Sequence, residues 1–135
     1  MSEDALRERA SFFFELAKDE ESRGKGDSAM LHCAQAVQAA LKLYISSQGR
    51  EVPGTFAISS LFEAIKDKPD LYTVFEKQKR YFDLMDDAYY GCRQFPSVYA
   101  PDDVKAALSA AAAVMTIALA VGGGSPRQRT ALELP

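Results

Sequence analysis

The segment DSAMLHCAQAVQAALKLYISSQG, residues 27–49, decides the fold. Wound at 100° per residue, it places its larger apolar side chains on one side of a helix: Met30, Cys33, Ala34, Val37, Leu41, Tyr44 and Ile45. The other side is also mostly small or apolar, and carries His32, Gln35, Ala36, Ala39 and Leu43. A helix with two apolar faces is covered on both sides. We expect it to lie centrally in a bundle, the alternative being that its second face is a subunit contact.

The sequence on either side of this segment is also helical in its periodicity, and no alternating strand pattern interrupts it. A first helix is predicted from about Glu3 to Ser22, and the central helix from an N-cap at Asp27 to about Ser47, with Gly49 as its terminator. Three more are predicted: a short helix capped by Thr55, a fourth from about Asp70 to Arg93, and a fifth from Pro101 to the glycines at 122–124. This predicts an all-α, antiparallel up-and-down bundle of four long helices plus one short helix. We expect residues 1–121 to form a single domain and residues 122–135 to form a flexible C-terminal tail.

The composition is that of an ordinary globular domain. Of 135 residues, 47% are hydrophobic and 26% charged, and the net charge of −3 gives no overall attraction to nucleic acid. Cys33 and Cys92 stand 59 residues apart and do not form a metal-binding motif, and a single histidine does not make a zinc site. We therefore expect no metal and no cofactor.

The apolar run at residues 104–121 is the one segment of the sequence that is a candidate membrane span. It contains Lys105, leans on alanine and is at the short limit for a span, so we interpret it as a buried helix. The charged start of the sequence, MSEDALRERAS, has no apolar signal region. The sequence therefore predicts a cytoplasmic protein without membrane contact.

Three groups of side chains invite a chemical role. His32 is the only histidine, but its helical neighbours make no triad, so we favour a half-buried histidine hydrogen-bonded to a backbone or amide group. Cys33 and Cys92 lie on core stripes and are interpreted as packing thiols. The aspartates of the fourth helix are more typical of a solvated face than of a metal site.

One row at the end of the fourth helix has a more specific chemistry. Asp86, Tyr90 and Arg93 follow each other at i, i+4 and i+7. An arginine fork suits a phosphate, and Tyr89 and Tyr90 could stack on a base. The alternative, equally favoured by residue chemistry, is that Arg93 caps the helix or pairs with Asp86 while Tyr89 packs in the core.

The order of these elements resembles the HEPN superfamily (higher eukaryotes and prokaryotes nucleotide-binding). RASFFFELAK in the first helix, the pattern D-x-A-x-x-H-x-A-Q-x-A-x-x-A-L-K over residues 27–42, a proline loop and the ending YYGCR carry the resemblance. Valine stands at position 37, where the family often has alanine. The resemblance covers roughly residues 5–121 and implies a helical bundle that commonly homodimerises and binds or acts on RNA. Members often form the toxin half of a toxin–antitoxin pair with a small nucleotidyltransferase.

The resemblance also implies a site, and this chain departs from it. Nuclease members carry an R-x4–6-H motif; Arg93 matches its arginine, but Val98, Tyr99 and Ala100 stand where the histidine should fall. Phe56 stands near the position where the family loop often has a histidine. YYGCRQFP is similar to the non-nuclease branch.

These departures decide the functional expectation. We expect a non-catalytic homodimeric domain that binds a nucleotide, RNA or a partner such as a nucleotidyltransferase through Arg93, Tyr90, Tyr89 and Asp86. The alternative is a metal-independent ribonuclease that uses Arg93 with an unidentified base, for which His32 is the candidate.

Overall fold

The computed structural model describes residues 2–91 and 99–120, and within that part of the chain all regular structure is helical. The helices are α1 (Glu3–Ser22), α2 (Gly26–Ser47), α3 (Ile58–Glu63), α4 (Pro69–Gly91) and α5 (Pro101–Ala120). Four long helices and one short helix confirm the all-α bundle. The predicted tail and the predicted extension of the fourth helix to Arg93 lie outside the described residues.

Helix α2 lies at the centre of the bundle, because it contacts α1, α3, α4 and α5. Its second face is covered within the chain: Ala36 and Leu43 have no exposed surface, and Ala39 exposes 3%. The central position predicted from the two apolar faces is therefore confirmed. The small side chains on this face let neighbouring helices approach closely.

Two glycines end the first two helices in the same way. Gly24 and Gly49 have φ of 74° and 71°, in the left-handed region that side chains other than glycine rarely adopt. The next residue then reaches back: Lys25 N–H donates to the Glu20 carbonyl at 2.8 Å, and Arg50 N–H donates to Ile45 at 3.3 Å. Gly49 is thus confirmed as the terminator of α2.

Both predicted N-caps are wrong. Helix α2 begins at Gly26 with Lys25 at the N-cap, so Asp27 lies inside the first turn, where its charge still favours the helix dipole. Gly26, the first residue of α2, packs against α5, and a Cβ there would lie 3.3 Å from Val104 Cγ2. Helix α3 has Ala57 at its N-cap, and Thr55 Oγ1 accepts instead from the Ala57 N–H at 3.1 Å.

Helices α4 and α5 close the other side of the core. The Phe62 ring of α3 lies 4.6 Å from Phe75 and 5.0 Å from Phe82, which fixes α3 onto α4. Helix α4 is interrupted at Gln78, where φ of −116° and ψ of 20° are non-helical, although neither proline nor glycine stands nearby.

Helix α5 is long and apolar enough to cross a membrane, with 39% of its apolar window buried. In the bundle it packs on α1, α2 and α4 through one stripe of buried side chains. The stripe consists of Val104, Ala107, Ala110, Ala111, Val114, Met115 and Ala118. It packs as a core helix does, as expected from the sequence.

Candidate ligand-binding pocket

A surface pocket of about 200 Å³ opens where α1, α2, the loop before α3 and the last turn of α4 meet. Helix α2 supplies one whole wall, since four of its residues at i, i+3, i+4 and i+7 share a face. The lining consists of Leu6, Arg9, Gln35, Gln38, Ala39, Lys42, Phe56 and Tyr89. We call this the α1–α2–α4 pocket. It combines two cations, two amides and two aromatic rings.

Helix α2 holds the aromatic wall in place. Gln38, which is 5% exposed, donates from Nε2 to the Phe56 carbonyl at 2.9 Å and fixes the loop against the helix. Lys42 Nζ lies 3.9 Å from the centre of the Phe56 ring, within the range of a cation–π contact. On its other side the Phe56 ring lies 5.6 Å from that of Tyr89. The ring is nevertheless 45% exposed, so part of it faces solvent.

The pocket carries positive charge that no carboxylate of residues 2–91 and 99–120 neutralises. Burial lowers the pKa of Lys42, and the nearby charge of Arg9 lowers it further. Among the residues that the structure describes, neither Arg9 nor Lys42 forms an ion pair, and the lining contains no acidic side chain. An anion bound here would relieve the repulsion between the two cations and gain a hydrogen bond from each.

The end of α4 contributes two tyrosines in different settings. Tyr89 lines the pocket and is 9% exposed, whereas Tyr90 is 52% exposed. Their rings meet edge to face, with centres 5.1 Å apart. Tyr90 therefore offers a free aromatic surface next to the pocket. Arg93, the third member of the expected site, lies outside the described residues.

Asp86 is engaged elsewhere. Its Oδ1 accepts from the Ile58 N–H at 2.8 Å, and the carboxylate also accepts from the Ser59 N–H, so it caps the start of α3 from the side of α4. Burial raises the pKa of Asp86, outweighing the two backbone hydrogen bonds that lower it. The Asp86 carboxylate, on α4, therefore lies against the first turn of α3 and is not part of the pocket lining.

His32 belongs to a second group of contacting side chains, which includes Glu20, Phe13 and Arg9. Its Nδ1 lies 2.5 Å from Oε1 of Glu20, a carboxylate rather than the expected backbone or amide partner. The imidazole stacks on Phe13 with ring centres 5.6 Å apart, and Arg9 lies 5.2 Å from the same ring. This contact between Nδ1 and the carboxylate fixes the orientation of the imidazole ring. His32 is one turn from Gln35 and does not line the pocket.

Cys33 is a packing residue. It is 1% exposed, and burial raises the pKa of its thiol to about 12, far from the range of a reactive thiolate. Its Sγ lies 3.5 Å from the Ala107 carbonyl. Cys92 lies outside the described residues, and within residues 2–91 and 99–120 no cluster of three metal-ligating side chains occurs.

Most of the residues that line this pocket were not predicted from the sequence. Of its lining, only Tyr89 was expected as a ligand-binding residue. The i, i+3, i+7 spacing of Gln35, Gln38 and Lys42 was a signal in the sequence, since it puts three long polar side chains on one face. No comparable signal pointed to Arg9, because its place depends on how α1 docks on α2.

Comparison with known proteins agrees with this architecture. A family model described as HEPN domain matches residues 4–121, which include all five helices and the whole pocket lining. No curated protein and no solved structure matches the chain. Such a domain suggests nucleotide or RNA binding, or ribonuclease-type function. Because the match covers most of the 135 residues, the chain belongs to the HEPN domain family.

Proposed function

We propose that this HEPN domain binds a nucleotide or RNA at the α1–α2–α4 pocket and does not cleave it. One observation carries the proposal: Arg9 and Lys42, which form no ion pair among the described residues, line the same pocket as the partly exposed ring of Phe56. A nucleotide offers the matching pair of groups, an anionic phosphate and a flat base. The exposed ring of Tyr90 lies next to the pocket, where a base could stack.

Val98, Tyr99 and Ala100 stand where the family motif has its histidine, and this departure supports binding rather than cleavage. Cleavage through a 2′-hydroxyl needs a group that removes its proton near neutral pH. Tyr99 stands at one position of the family's histidine, and its hydroxyl donates to Asp87 at 3.4 Å. The unperturbed pKa of tyrosine is about 10, which makes it a poor base. The chain therefore fits the non-nuclease branch.

The binding test uses variants that remove one charge at a time. Lys42→Met and Arg9→Gln keep most of the side-chain volume, while Lys66→Met removes an equivalent charge from an exposed lysine paired with Glu63. Titrations of a fluorescent mixed-sequence RNA and of AMP provide the affinities. Loss of one charge-assisted hydrogen bond is worth about 1.5–3 kcal/mol, so each pocket variant should bind about 10–100-fold more weakly. Equal binding by all four proteins would contradict the proposal.

A second candidate function, RNA cleavage, is favoured by the His32–Glu20 pair. Glu20 orients the imidazole, and His32 and Arg9 both contact the Phe13 ring, so an oriented base and a cation share one aromatic neighbour. In this function Arg93 would stabilise the charged phosphorane, as the family motif implies. A gel of labelled RNA tests it: cleavage by the wild-type protein that is lost in both His32→Gln and Arg93→Ala would replace the binding proposal.

A further inference from the structure

The charge of the α1–α2–α4 pocket indicates which phosphate it suits. Two cations line it, and none of the lining residues within residues 2–91 and 99–120 is acidic, so a ligand group with two negative charges would match it. Burial around Lys42 strengthens this preference, because a partly desolvated ammonium is less well screened by water. The repulsion from Arg9 acts in the same direction, since a single dianionic group can neutralise both cations.

Phosphate chemistry then separates two kinds of ligand. A phosphomonoester carries about −1.5 to −2 charges at pH 7 and three strong acceptor oxygens. A phosphodiester inside a nucleic-acid chain carries about −1. The pocket's two cations and the amide of Gln35, which has no hydrogen bond among the described residues, match the three acceptors of the monoester.

The volume of the pocket also favours a ligand of which only the phosphate end is enclosed. Its volume of about 200 Å³ lies below the range of about 300–1,000 Å³ typical of pockets that enclose a whole drug-sized ligand. It therefore encloses one end of a ligand and leaves the rest outside. Just outside stands the half-exposed ring of Tyr90, where a base can stack while its phosphate lies inside.

We propose that the α1–α2–α4 pocket recognises a terminal phosphomonoester, carried by a mononucleotide or by a phosphorylated end of RNA, in preference to an internal phosphodiester. This inference rests on the proposed binding function and adds the identity of the recognised group. Arg9 and Lys42 hold the dianion, Gln35 donates to its third oxygen, and Tyr90 stacks on the attached base. Inorganic phosphate shares this chemistry and binds the same cations without the stacking contribution.

The experiment compares five probes in calorimetric titrations with the full chain: pApA, ApA, AMP, adenosine and inorganic phosphate. We expect pApA to bind at least tenfold more tightly than ApA, and AMP at least tenfold more tightly than adenosine. Both ratios should fall to near one in Lys42→Met and stay unchanged in Lys66→Met. Thermal melts of each variant establish that it is folded.

The possible outcomes distinguish failure of the monoester inference from failure of the proposed nucleotide or RNA binding. Equal binding of pApA and ApA, weakened in Lys42→Met, would overturn the monoester inference and leave nucleotide binding intact. Failure of pApA, AMP and the mixed-sequence RNA to bind would overturn both. Inorganic phosphate binding as tightly as AMP would support the dianion site and assign it to free phosphate rather than to a nucleotide.

Discussion

The capping of α3 by Asp86 gives the sharpest prediction about stability. Replacing Asp86 by alanine removes the acceptor of two backbone N–H groups, those of Ile58 and Ser59, and Ile58 is fully buried. Loss of a helix cap typically costs about 1 kcal/mol, and a buried N–H left without an acceptor costs about 1–3 kcal/mol. We expect Asp86→Ala to lower the free energy of unfolding by about 2 kcal/mol. At about 4 °C per kcal/mol for a domain of this size, the Tm should fall by about 8 °C.

Two matched variants test the reasoning in the same urea titrations and thermal melts. Asp86→Asn keeps a side-chain oxygen that can accept both N–H groups, so its stability should lie within about 0.5 kcal/mol of wild type. Asp83→Ala removes a carboxylate one turn away that pairs with Lys79 on the surface, and it should also have an effect of about 0.5 kcal/mol or less. A loss below about 0.5 kcal/mol in Asp86→Ala would refute the assignment of this carboxylate as the cap of α3.

The pH dependence of the same variants has a defined sign. Burial raises the pKa of Asp86 in the folded protein above its unfolded value of about 3.9. Between these two values the folded state binds more protons than the unfolded state, so lowering the pH favours folding through this group. Wild type should therefore gain stability relative to Asp86→Asn as the pH is lowered through that window. A relative loss of stability would contradict the assigned direction of the pKa.

Three further predictions concern other parts of the bundle. Gly49→Ala should cost about 1–2 kcal/mol, because φ of 71° is strained for alanine, whereas Gly54→Ala, with open space around its Cβ position and no positive φ, should be nearly neutral in the same melts. In a Cys92→Ser background, Cys33 should react with a thiol reagent only as fast as the protein unfolds, since it is buried and its pKa is about 12. Arg7→Met should cost about 1–2 kcal/mol in urea titrations, and the loss should persist in 1 M salt, because the buried Arg7 donates a charge-assisted hydrogen bond to a carbonyl in the last turn of α5.

The sequence predicted the number and order of the helices because these follow from local periodicity. The end of α2 is encoded by Gly49 and its neighbours, and the central place of α2 by its two apolar faces. The cap of α3 was missed because the acceptor, Asp86, stands 28 residues from the Ile58 N–H that it binds. Interactions of this kind follow from the docking of two helices, and periodicity carries no information about them.

The pocket was only partly predictable for the same reason. Tyr89 was expected because it stands at the end of a long amphipathic helix. Lys42 was visible as part of the helix 2 pattern, but its contact with the Phe56 ring depends on the path of a proline loop. Arg9 reaches the pocket only because α1 docks on α2 in one register. The residues that share one face of a helix can be predicted from the sequence. Which side chains of different helices meet at one pocket depends on how the helices pack.

Because one wall of the pocket is a face of α2, a ligand bound there should also make global unfolding of the bundle rarer. Helix α2 touches every other helix, so its innermost amides should exchange hydrogen with solvent only when the bundle unfolds globally. A ligand at 100 times its Kd lowers the unfolded population about a hundredfold. Exchange should then slow by the same factor at the most protected amides of α1, α2, α4 and α5, including those far from any bound phosphate.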